Sequence, residues 1–505
     1  METAWPGLVT AFGLCLALFF VRKTIRRSIQ KAPRWIWLCL VLAVMVRLWL
    51  VPSLSLHIYD GHEADYWDIF LHNRTPNRGG TVLYPVMQSG WWGLRYILPH
   101  HPWIPILAMT GVGSIGVVLL GSTIGRWSEP WVGWIASALV VFHPIHAAWS
   151  SSAYNVIVPS TLGILALWAV TISAEEESVV WPWIAGLALT LAIACRLDAV
   201  LWVVPVVGVW LVQGIGWARF RQVIGPFLVA GALAGLAAWP LVFPGELPGA
   251  GERGVSFRVN VPLLEFYGGF GSPLGLFVVA IGTGLAAVRW PRHTGVLVVY
   301  AICVHLVFSG FDDFGDRHGL MAMPFFVWVC AAGPASLFER GPRYAKVVSG
   351  ILLAVTFGLE ANEMRNMRNT FYGDEEEFKR TLSDSPNGGL PRWSLDDLWT
   401  TEDGDWCEVV GEDHRLLASR PSGLDARVVS HFNVLRAEEA MKLRGDGGCL
   451  RWCMDVQDWR WSSRGVRDRA YRVLSLYETQ SIAVVDDEAS GYICLVKSVG
   501  ARTRQ

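Results

Sequence analysis

Long apolar runs separated by short polar segments recur along the chain from its beginning to about Glu360. A membrane-crossing helix needs about 20 apolar residues, and by that rule the pattern predicts roughly twelve crossings. We therefore expect an α-helical polytopic membrane protein. The predicted spans are Trp5–Val21, Arg34–Val51, Trp103–Ile124, Trp131–Ala148, Ile157–Ile172, Val180–Cys195, Ala199–Trp217, Val223–Val242, Pro273–Val288, Thr294–Ser309, Met321–Leu337 and Val347–Leu359.

The composition agrees with a chain that needs lipid. Of its residues 52% are hydrophobic and 17% are charged, well below the quarter that is usual in soluble domains. Its 42 basic and 43 acidic residues nearly cancel, so no charge excess indicates a nucleic-acid partner. Tryptophan pairs such as Trp91 and Trp92 lie where apolar and polar segments meet, as in an interfacial aromatic belt.

Short loops rich in Lys and Arg alternate with the spans and set the predicted sidedness. Such loops stay in the cytoplasm, and the strongest one runs from Arg22 to Arg34. The opposite, extracytoplasmic side then receives the long first loop 52–102, the loops 243–272 and 310–319, and everything after Glu360.

The tail differs in composition from the rest of the chain. Turn signals such as Pro386-Asn387-Gly388-Gly389 separate its segments, Leu435–Leu443 is predicted to end a helix, and Ser481–Val485 and Tyr492–Val499 are predicted strands. We therefore divide the chain into a transmembrane domain, 1–360, and a small extracytoplasmic α/β domain, 361–505.

Four of the nine cysteines, Cys407, Cys449, Cys453 and Cys494, fall in this tail. An even number in one extracytoplasmic domain permits two disulfides. A zinc site is the alternative, but the spacing from Cys449 to Cys453 is one residue wider than the usual C-x-x-C pair.

An acidic segment, His57 to Asp68, directly follows the second predicted span. It contains Asp60, Glu63 and Asp65, and a carboxylate held at the membrane surface is suited to act as a general base on an acceptor hydroxyl. A solvated loop is the simpler alternative. A divalent metal held by these carboxylates with His57 and His62 is a further one.

Polar residues also lie at the outer ends of later predicted spans. Arg196 with Asp198 and Arg317 with Asp316 place guanidinium groups where the positive-inside rule disfavours them. A phosphate ligand would explain them, because a planar guanidinium matches phosphate oxygens; ion pairing within the bundle is the alternative. His143 and His146, about one helical turn apart, are interpreted as hydrogen-bonded histidines or as metal ligands.

Taken in order, these motifs resemble the polytopic clan C (GT-C) glycosyltransferases, specifically the bacterial relatives of protein O-mannosyltransferases and aminoarabinose transferases, a family 39-like group. The resemblance covers roughly Leu40 to Leu337 and rests on Glu63 with Tyr66, His143-Pro144-Ile145-His146, Arg196-Leu197-Asp198, and Arg317-His318 with Pro324. His62 stands where the family usually has Asp, so Asp60, Glu63 and Asp65 remain alternative bases.

The resemblance implies an enzyme of the cell envelope in a bacterial inner membrane. It would move a hexosyl or pentosyl group from a polyprenyl-phosphate donor to an extracytoplasmic protein, lipid or glycan. Asp60, Glu63 or Asp65 would be catalytic, and Tyr66, His143, His146, Arg196, Asp198, Arg317 and His318 would bind substrate. No cofactor is expected beyond the lipid-phosphate sugar, with a divalent metal as an open alternative.

Two other functions fit a bundle with buried charge. A transporter or flippase for a lipid-linked or anionic substrate would line its path with the same Arg and carboxylate residues, but paired repeats are not apparent in the sequence. A noncatalytic membrane scaffold with a sensing tail would need none of these residues for activity.

Overall fold

The computed structural model describes a helical bundle and a small sheet. The described residues are 22, 34–54, 91, 94–99, 103–150, 156–176, 180–213, 268–309, 319–371, 392–393, 408–411, 450–455, 481–487 and 490–497.

Within these ranges the bundle consists of α-helices with two short 3-10 helices. The α-helices are α1 Arg34–Leu54, α2 Trp103–Trp127, α3 Pro130–Phe142, α4 Pro144–Ser150, α5 Ile157–Glu175, α6 Val180–Cys195, α7 Val203–Val212, α8 Pro273–Arg289, α9 Pro291–Ser309, α10 Gly319–Arg340 and α11 Arg343–Phe371. The 3-10 helices are Leu197–Trp202, which joins α6 to α7, and Gly268–Gly271, which precedes α8.

Ten of the predicted spans coincide with these helices, and the other two, Trp5–Val21 and Val223–Val242, lie outside the described residues. Five described helices are long and apolar enough to cross a bilayer, and the bent pair α3 and α4 makes a sixth if counted as one span. Four shorter apolar helices accompany them. The protein is therefore a membrane protein, and the total of about twelve spans stays a prediction.

One end of the bundle, which we call the basic end, is defined by ion pairs and ring contacts between helix termini. Arg126 at the end of α2 pairs with Glu175 at the end of α5, and Arg289 at the end of α8 lies 4.0 Å from Glu129 before α3. The Trp131 ring in α3 lies 5.7 Å from Phe338 near the end of α10. Helices α3, α6, α9 and α11 therefore start at the basic end, and α2, α5, α8 and α10 finish there.

A sharp break separates α3 from α4. A residue before proline is disfavoured in the helical region, and His143, which precedes Pro144, is extended with φ −71° and ψ 117°. The chain bends by 66° and then resumes as α4, with Pro144 at its first position, where no backbone N–H is needed. The predicted single span Trp131–Ala148 is thus two helices.

Close packing of α8 on α10 depends on glycine. A Cβ added at Gly333 would lie 2.6 Å from the Cα of Gly282, and one added at Gly282 would lie 2.5 Å from the carbonyl oxygen of Val329. The opposing atoms are backbone, so they cannot rotate away. These glycines let the two helix backbones approach closely, as small residues do in membrane bundles.

The last helix, α11, continues to Phe371, past the predicted end of its span at Leu359 and past the boundary drawn at 360. The reason is local: the residues after Glu360 are mostly good helix formers, and the first glycine after them is Gly373. The boundary of the transmembrane domain therefore falls within a helix, and the division into two domains stays a prediction.

The tail contributes a five-stranded mixed sheet in the order β1-β4-β5-β3-β2. The strands are β1 Arg392–Trp393, β2 Glu408–Gly411, β3 Leu450–Asp455, β4 Ser481–Asp487 and β5 Ser490–Lys497. The predicted strand pair is present as the antiparallel pair β4 and β5, and the strands extend into the predicted connection until Asp487 pairs with Ser490. The predicted helix end Leu435–Leu443 lies outside the described residues.

The glycine packing gives a matched pair of substitutions two positions apart in α8. We expect Gly282→Ala to lower the thermal unfolding midpoint in detergent, because overpacking against backbone costs about 1–3 kcal/mol. A Cβ at Gly284 meets nothing within 4 Å, so Gly284→Ala should leave the midpoint unchanged or raise it. Equal midpoints for the two variants would contradict this packing.

Candidate functional site

A fully buried arginine lies in the first described helix. Arg47 of α1 has 0% of its surface exposed. Its Nη1 donates to the carbonyl oxygen of Ala43 at 2.8 Å, and its Nη2 lies 2.6 Å from Nδ1 of His146 in α4. A guanidinium only donates, so Nδ1 of His146 is the acceptor. This contact ties α1 to the helix that follows the break.

His143 occupies the break itself and caps α4. Its Nδ1 accepts the backbone N–H of His146 at 3.3 Å, a contact that satisfies one of the open donors at the helix start. A neutral imidazole that accepts through Nδ1 carries its proton on Nε2. That Nε2 lies 3.9 Å from Oε2 of Glu360 in α11, longer than a hydrogen bond but close enough for electrostatic attraction.

Glu360 is the acidic member of the cluster. Its side chain is completely buried, and within the described part of the chain neither carboxyl oxygen has a hydrogen-bond partner. Burying an ionised carboxylate without such bonds costs several kcal/mol, so an ionisable residue at this position needs a structural or functional reason. We call Arg47, His143, His146 and Glu360 the buried polar cluster.

The buried polar cluster lies far from the basic end. At 1.5 Å per residue, His143 follows the start of α3 by about 20 Å, and Glu360 follows the start of α11 by about 26 Å. Arg47 contacts His146 and so lies at the same depth in the bundle, and α1 ends seven residues later at Leu54. The cluster therefore lies in the half of the bundle opposite the basic end.

Metal binding by His143 and His146 receives no support from this geometry. A guanidinium 2.6 Å from Nδ1 of His146 places positive charge where a cation would have to sit. Among the described residues, no three His, Cys, Asp or Glu side chains lie together as a metal site would require. Substrate contact by the two histidines stays a prediction.

Arg196 and Asp198 form a second polar site, at the end of α6. The chain leaves the helix at Arg196, which is extended, and its Nε donates to both carboxylate oxygens of Asp198 at 2.7 Å. Both side chains are mostly buried, with 8% and 18% exposed. The predicted Arg196–Asp198 ion pair is thus present, and phosphate binding by Arg196 stays a prediction.

Aromatic groups that can donate hydrogen bonds adjoin this ion pair. The Trp202 ring at the end of the 3-10 helix Leu197–Trp202 lies 5.5 Å from the Tyr300 ring in α9. Within the described residues, the Trp202 Nε1 and the Tyr300 hydroxyl are both buried without a hydrogen-bond partner. Buried donors of this kind are normally paired, so they mark a place where a polar ligand or water would be favoured.

The described helix ends that adjoin the predicted site segments in sequence lie on one side of the bundle. Helix α6 starts at the basic end, so Arg196 lies at the opposite end, where α1 finishes at Leu54 and α10 starts at Gly319. The acidic segment follows Leu54 closely in sequence, and Arg317 and His318 directly precede Gly319. The predicted residues Asp60, Glu63, Asp65, Tyr66, Arg317 and His318 themselves lie outside the described residues.

This bundle is similar along nearly its whole length to that of ArnT from Cupriavidus metallidurans. With the structure of ArnT bound to undecaprenyl phosphate the TM-score is 0.53 at 13% identity, covering 93% of this chain and 99% of that one. With apo ArnT the TM-score is 0.54 at 13% identity, covering 92% and 98%. The chain has a clan C glycosyltransferase fold.

A second clan C neighbour is more distant. The Archaeoglobus fulgidus oligosaccharyltransferase in complex with Zn and sulfate has a TM-score of 0.50 at 13% identity, and the match covers 84% of this chain and 68% of that one. By sequence, no family model and no curated protein matches the chain. The similarity to the clan C proteins therefore lies in the arrangement of the helices and is not visible in the overall amino-acid sequence.

Sequence reasoning missed Arg47 and Glu360, which complete the buried polar cluster of this clan C bundle. A signal was available for Arg47, because it is the one charged residue between Trp35 and Leu54. An ionisable residue inside a span marks a structural or functional site by default. Glu360 lies directly after the predicted end of its span at Leu359, where polar residues begin, so its burial was not expected.

The Arg47–His146 contact predicts a large stability effect. Arg47→Ala should lower the free energy of unfolding by about 1.5–3 kcal/mol, because it removes the charge-assisted hydrogen bond that Arg47 donates to the buried Nδ1 of His146. The stability of Arg47→Lys should lie between that of the wild type and that of Arg47→Ala, since a single ammonium group replaces a planar guanidinium with several donors. Denaturant unfolding in detergent measures these changes.

Matched changes elsewhere test whether the effect belongs to the cluster. Arg343→Ala, at the exposed start of α11, should change stability by less than about 1 kcal/mol. Glu360→Gln keeps the shape and replaces a buried ionisable group with a neutral one, so its stability should equal or exceed that of the wild type. The contact is not important for stability if Arg47→Ala unfolds like Arg343→Ala.

Proposed function

We propose that the protein is a glycosyltransferase that moves a sugar from a polyprenyl-phosphate donor to an extracytoplasmic acceptor. The observation that carries this proposal is the convergence at the end of the bundle opposite the basic end. The end of α1, the Arg196–Asp198 pair and the start of α10 all lie there. The acidic segment, Arg196 and Arg317 would therefore border one cavity.

The fold supports the proposed polyprenyl-phosphate donor. ArnT, whose fold this chain shares along nearly its full length, was captured with undecaprenyl phosphate. A polyprenyl chain would lie between apolar helices with its phosphate at the membrane surface, on the side where α6 ends and α10 starts. We propose the same class of donor here, in a bacterial inner membrane with the tail on the extracytoplasmic side.

The proposed reaction is a displacement at the anomeric carbon of the sugar. Glu63, with Asp60 and Asp65 as alternatives, takes the proton of the acceptor hydroxyl as the oxygen attacks. The bond from the anomeric carbon to the phosphate oxygen breaks, and the lipid phosphate leaves with the electron pair. A donor of this kind is already activated, so no nucleotide is consumed.

Charge develops on the leaving phosphate, and the guanidinium groups are suited to receive it. Arg317 and Arg196, with His318, would neutralise that charge in a site from which water is largely excluded, where such interactions are strongest. Asp198 holds Arg196 through Nε and so fixes the direction of its guanidinium. The Trp202 Nε1–H and the Tyr300 hydroxyl would donate hydrogen bonds to the phosphate or to a water bound to it.

The buried polar cluster would act on this reaction indirectly. It fixes the outer part of α1, which leads into the acidic segment, against α4 and α11. Catalysis depends on positions held to within a fraction of an ångström, so the base must come from a rigid support. Arg47 is therefore a positioning residue in this proposal.

Transfer from a lipid donor is tested directly with the purified protein in liposomes. We use undecaprenyl phosphate carrying a labelled sugar, together with membrane extract as the source of acceptor. The wild type should remove label from the lipid, and Glu63→Gln should reduce the rate by about 100-fold or more, as loss of a general base does. Parallel reactions with a chelator report whether a divalent metal is needed.

Glu129→Gln is the matched control, because Glu129 lies at the basic end and should leave the rate unchanged. Movement of the labelled lipid across the bilayer without loss of its sugar would instead favour a flippase. Full activity in Glu63→Gln, Asp60→Asn and Asp65→Asn would exclude the acidic segment as the base.

Phosphate binding by Arg196 predicts a change in the kinetics of the donor. Charge-assisted hydrogen bonds contribute about 1.5–3 kcal/mol, so Arg196→Gln should lower kcat/KM for the lipid donor by roughly 10- to 150-fold. Arg343→Gln at the basic end serves as the control. A lower unfolding midpoint with unchanged kinetics would mean that the Arg196–Asp198 pair is purely structural.

A further inference from the structure

Two cysteines of the tail are opposite each other on neighbouring strands of its sheet. In the antiparallel pair β3 and β5, Cys453 is the direct register partner of Cys494. Directly opposed residues in an antiparallel ladder have Cα atoms about 4.5–5.5 Å apart. Disulfides join Cα atoms about 4.4–6.8 Å apart, so this backbone position is compatible with a bond.

The neighbouring register positions leave room for such a bond. Gly411 of β2 pairs with Cys453, and Ala483 of β4 pairs with Cys494, so the row across four strands reads Gly-Cys-Cys-Ala. Glycine has no side chain and alanine only a methyl group. Bulky neighbours on either side, which would crowd two sulfur atoms, are thus absent from this row of the described sheet.

A metal is a poor alternative at this position. Structural zinc takes four ligands, usually cysteine and histidine. The two residues that flank the cysteine pair in the row are glycine and alanine, and neither supplies a ligand.

We propose that Cys453 and Cys494 form a disulfide in the mature protein. Each thiol loses its proton, and the pair loses two electrons to the disulfide of an extracytoplasmic thiol oxidase. A thiolate attacks that disulfide, and the second thiolate then displaces the reduced oxidant as a dithiol. The inference rests on the extracytoplasmic placement of the tail in the proposed function, because such bonds persist only in an oxidising compartment.

Trypsin separates all four cysteines of the tail onto different peptides. Cleavage after Arg and Lys yields 393–415 with Cys407, 445–451 with Cys449, 452–460 with Cys453 and 473–497 with Cys494. The full-length protein is taken from membranes in the presence of a thiol-alkylating reagent, unfolded, digested without reductant and analysed by mass spectrometry.

The expected result is one linked species of 452–460 and 473–497, two hydrogen atoms lighter than the sum of its peptides, that separates on reduction. In Cys453→Ser, Cys494 should become available to the alkylating reagent, whereas in Cys407→Ser the link should remain. Linkage of Cys453 to Cys449 or Cys407, or alkylation of both Cys453 and Cys494 in the wild type, overturns the proposal.

Protease treatment of intact and lysed spheroplasts distinguishes absence of the disulfide alone from failure of the proposed function. Free thiols in a tail that is cleaved in intact spheroplasts overturn the disulfide alone. Free thiols in a tail that is protected until lysis overturn both the disulfide and the sidedness on which the transferase proposal depends.

Discussion

The contact between Arg47 and His146 is the interaction on which the half of the bundle opposite the basic end depends. It joins α1 to α4, and the nearby approach of His143 to Glu360 joins the same break to α11. Each of these groups would be costly alone in a membrane interior. The two contacts meet at the same break in the chain and so link α1, α4 and α11 to one another.

The arrangement depends on one proline, Pro144. Pro144 forces His143 out of the helical region, and the bend that results turns both histidines inward between α1 and α11. A continuous helix would carry His143 and His146 on one stripe, and it would leave no N-terminus for His143 to cap. Backbone restriction at one residue thus creates the position that the charged groups then occupy.

The helices of the bundle were largely predictable because spans such as Val180–Cys195 are marked by hydrophobicity alone. The Arg196–Asp198 pair was predictable for a similar reason, since the two residues are near neighbours at a helix end. Partners distant in sequence were not: nothing in the residues around Arg47 indicates His146, and Glu360 resembles an ordinary helix terminus. The break at Pro144 was hidden because an apolar run continues on both sides of it.

In the tail, the two strands of the hairpin were predicted from their sequence. The pairing of β3 with β5 joins segments that are distant in sequence, so it could be seen only in the structure.

The length of α11 has a mechanical consequence. The helix spans 29 residues, about 44 Å, whereas the hydrocarbon core of a bilayer is about 30 Å thick. Glu360 lies about three turns before the end of this helix, so α11 continues well beyond the buried polar cluster. A tilt of α11 at the level of Glu360 would therefore be carried to Phe371 without an intervening loop.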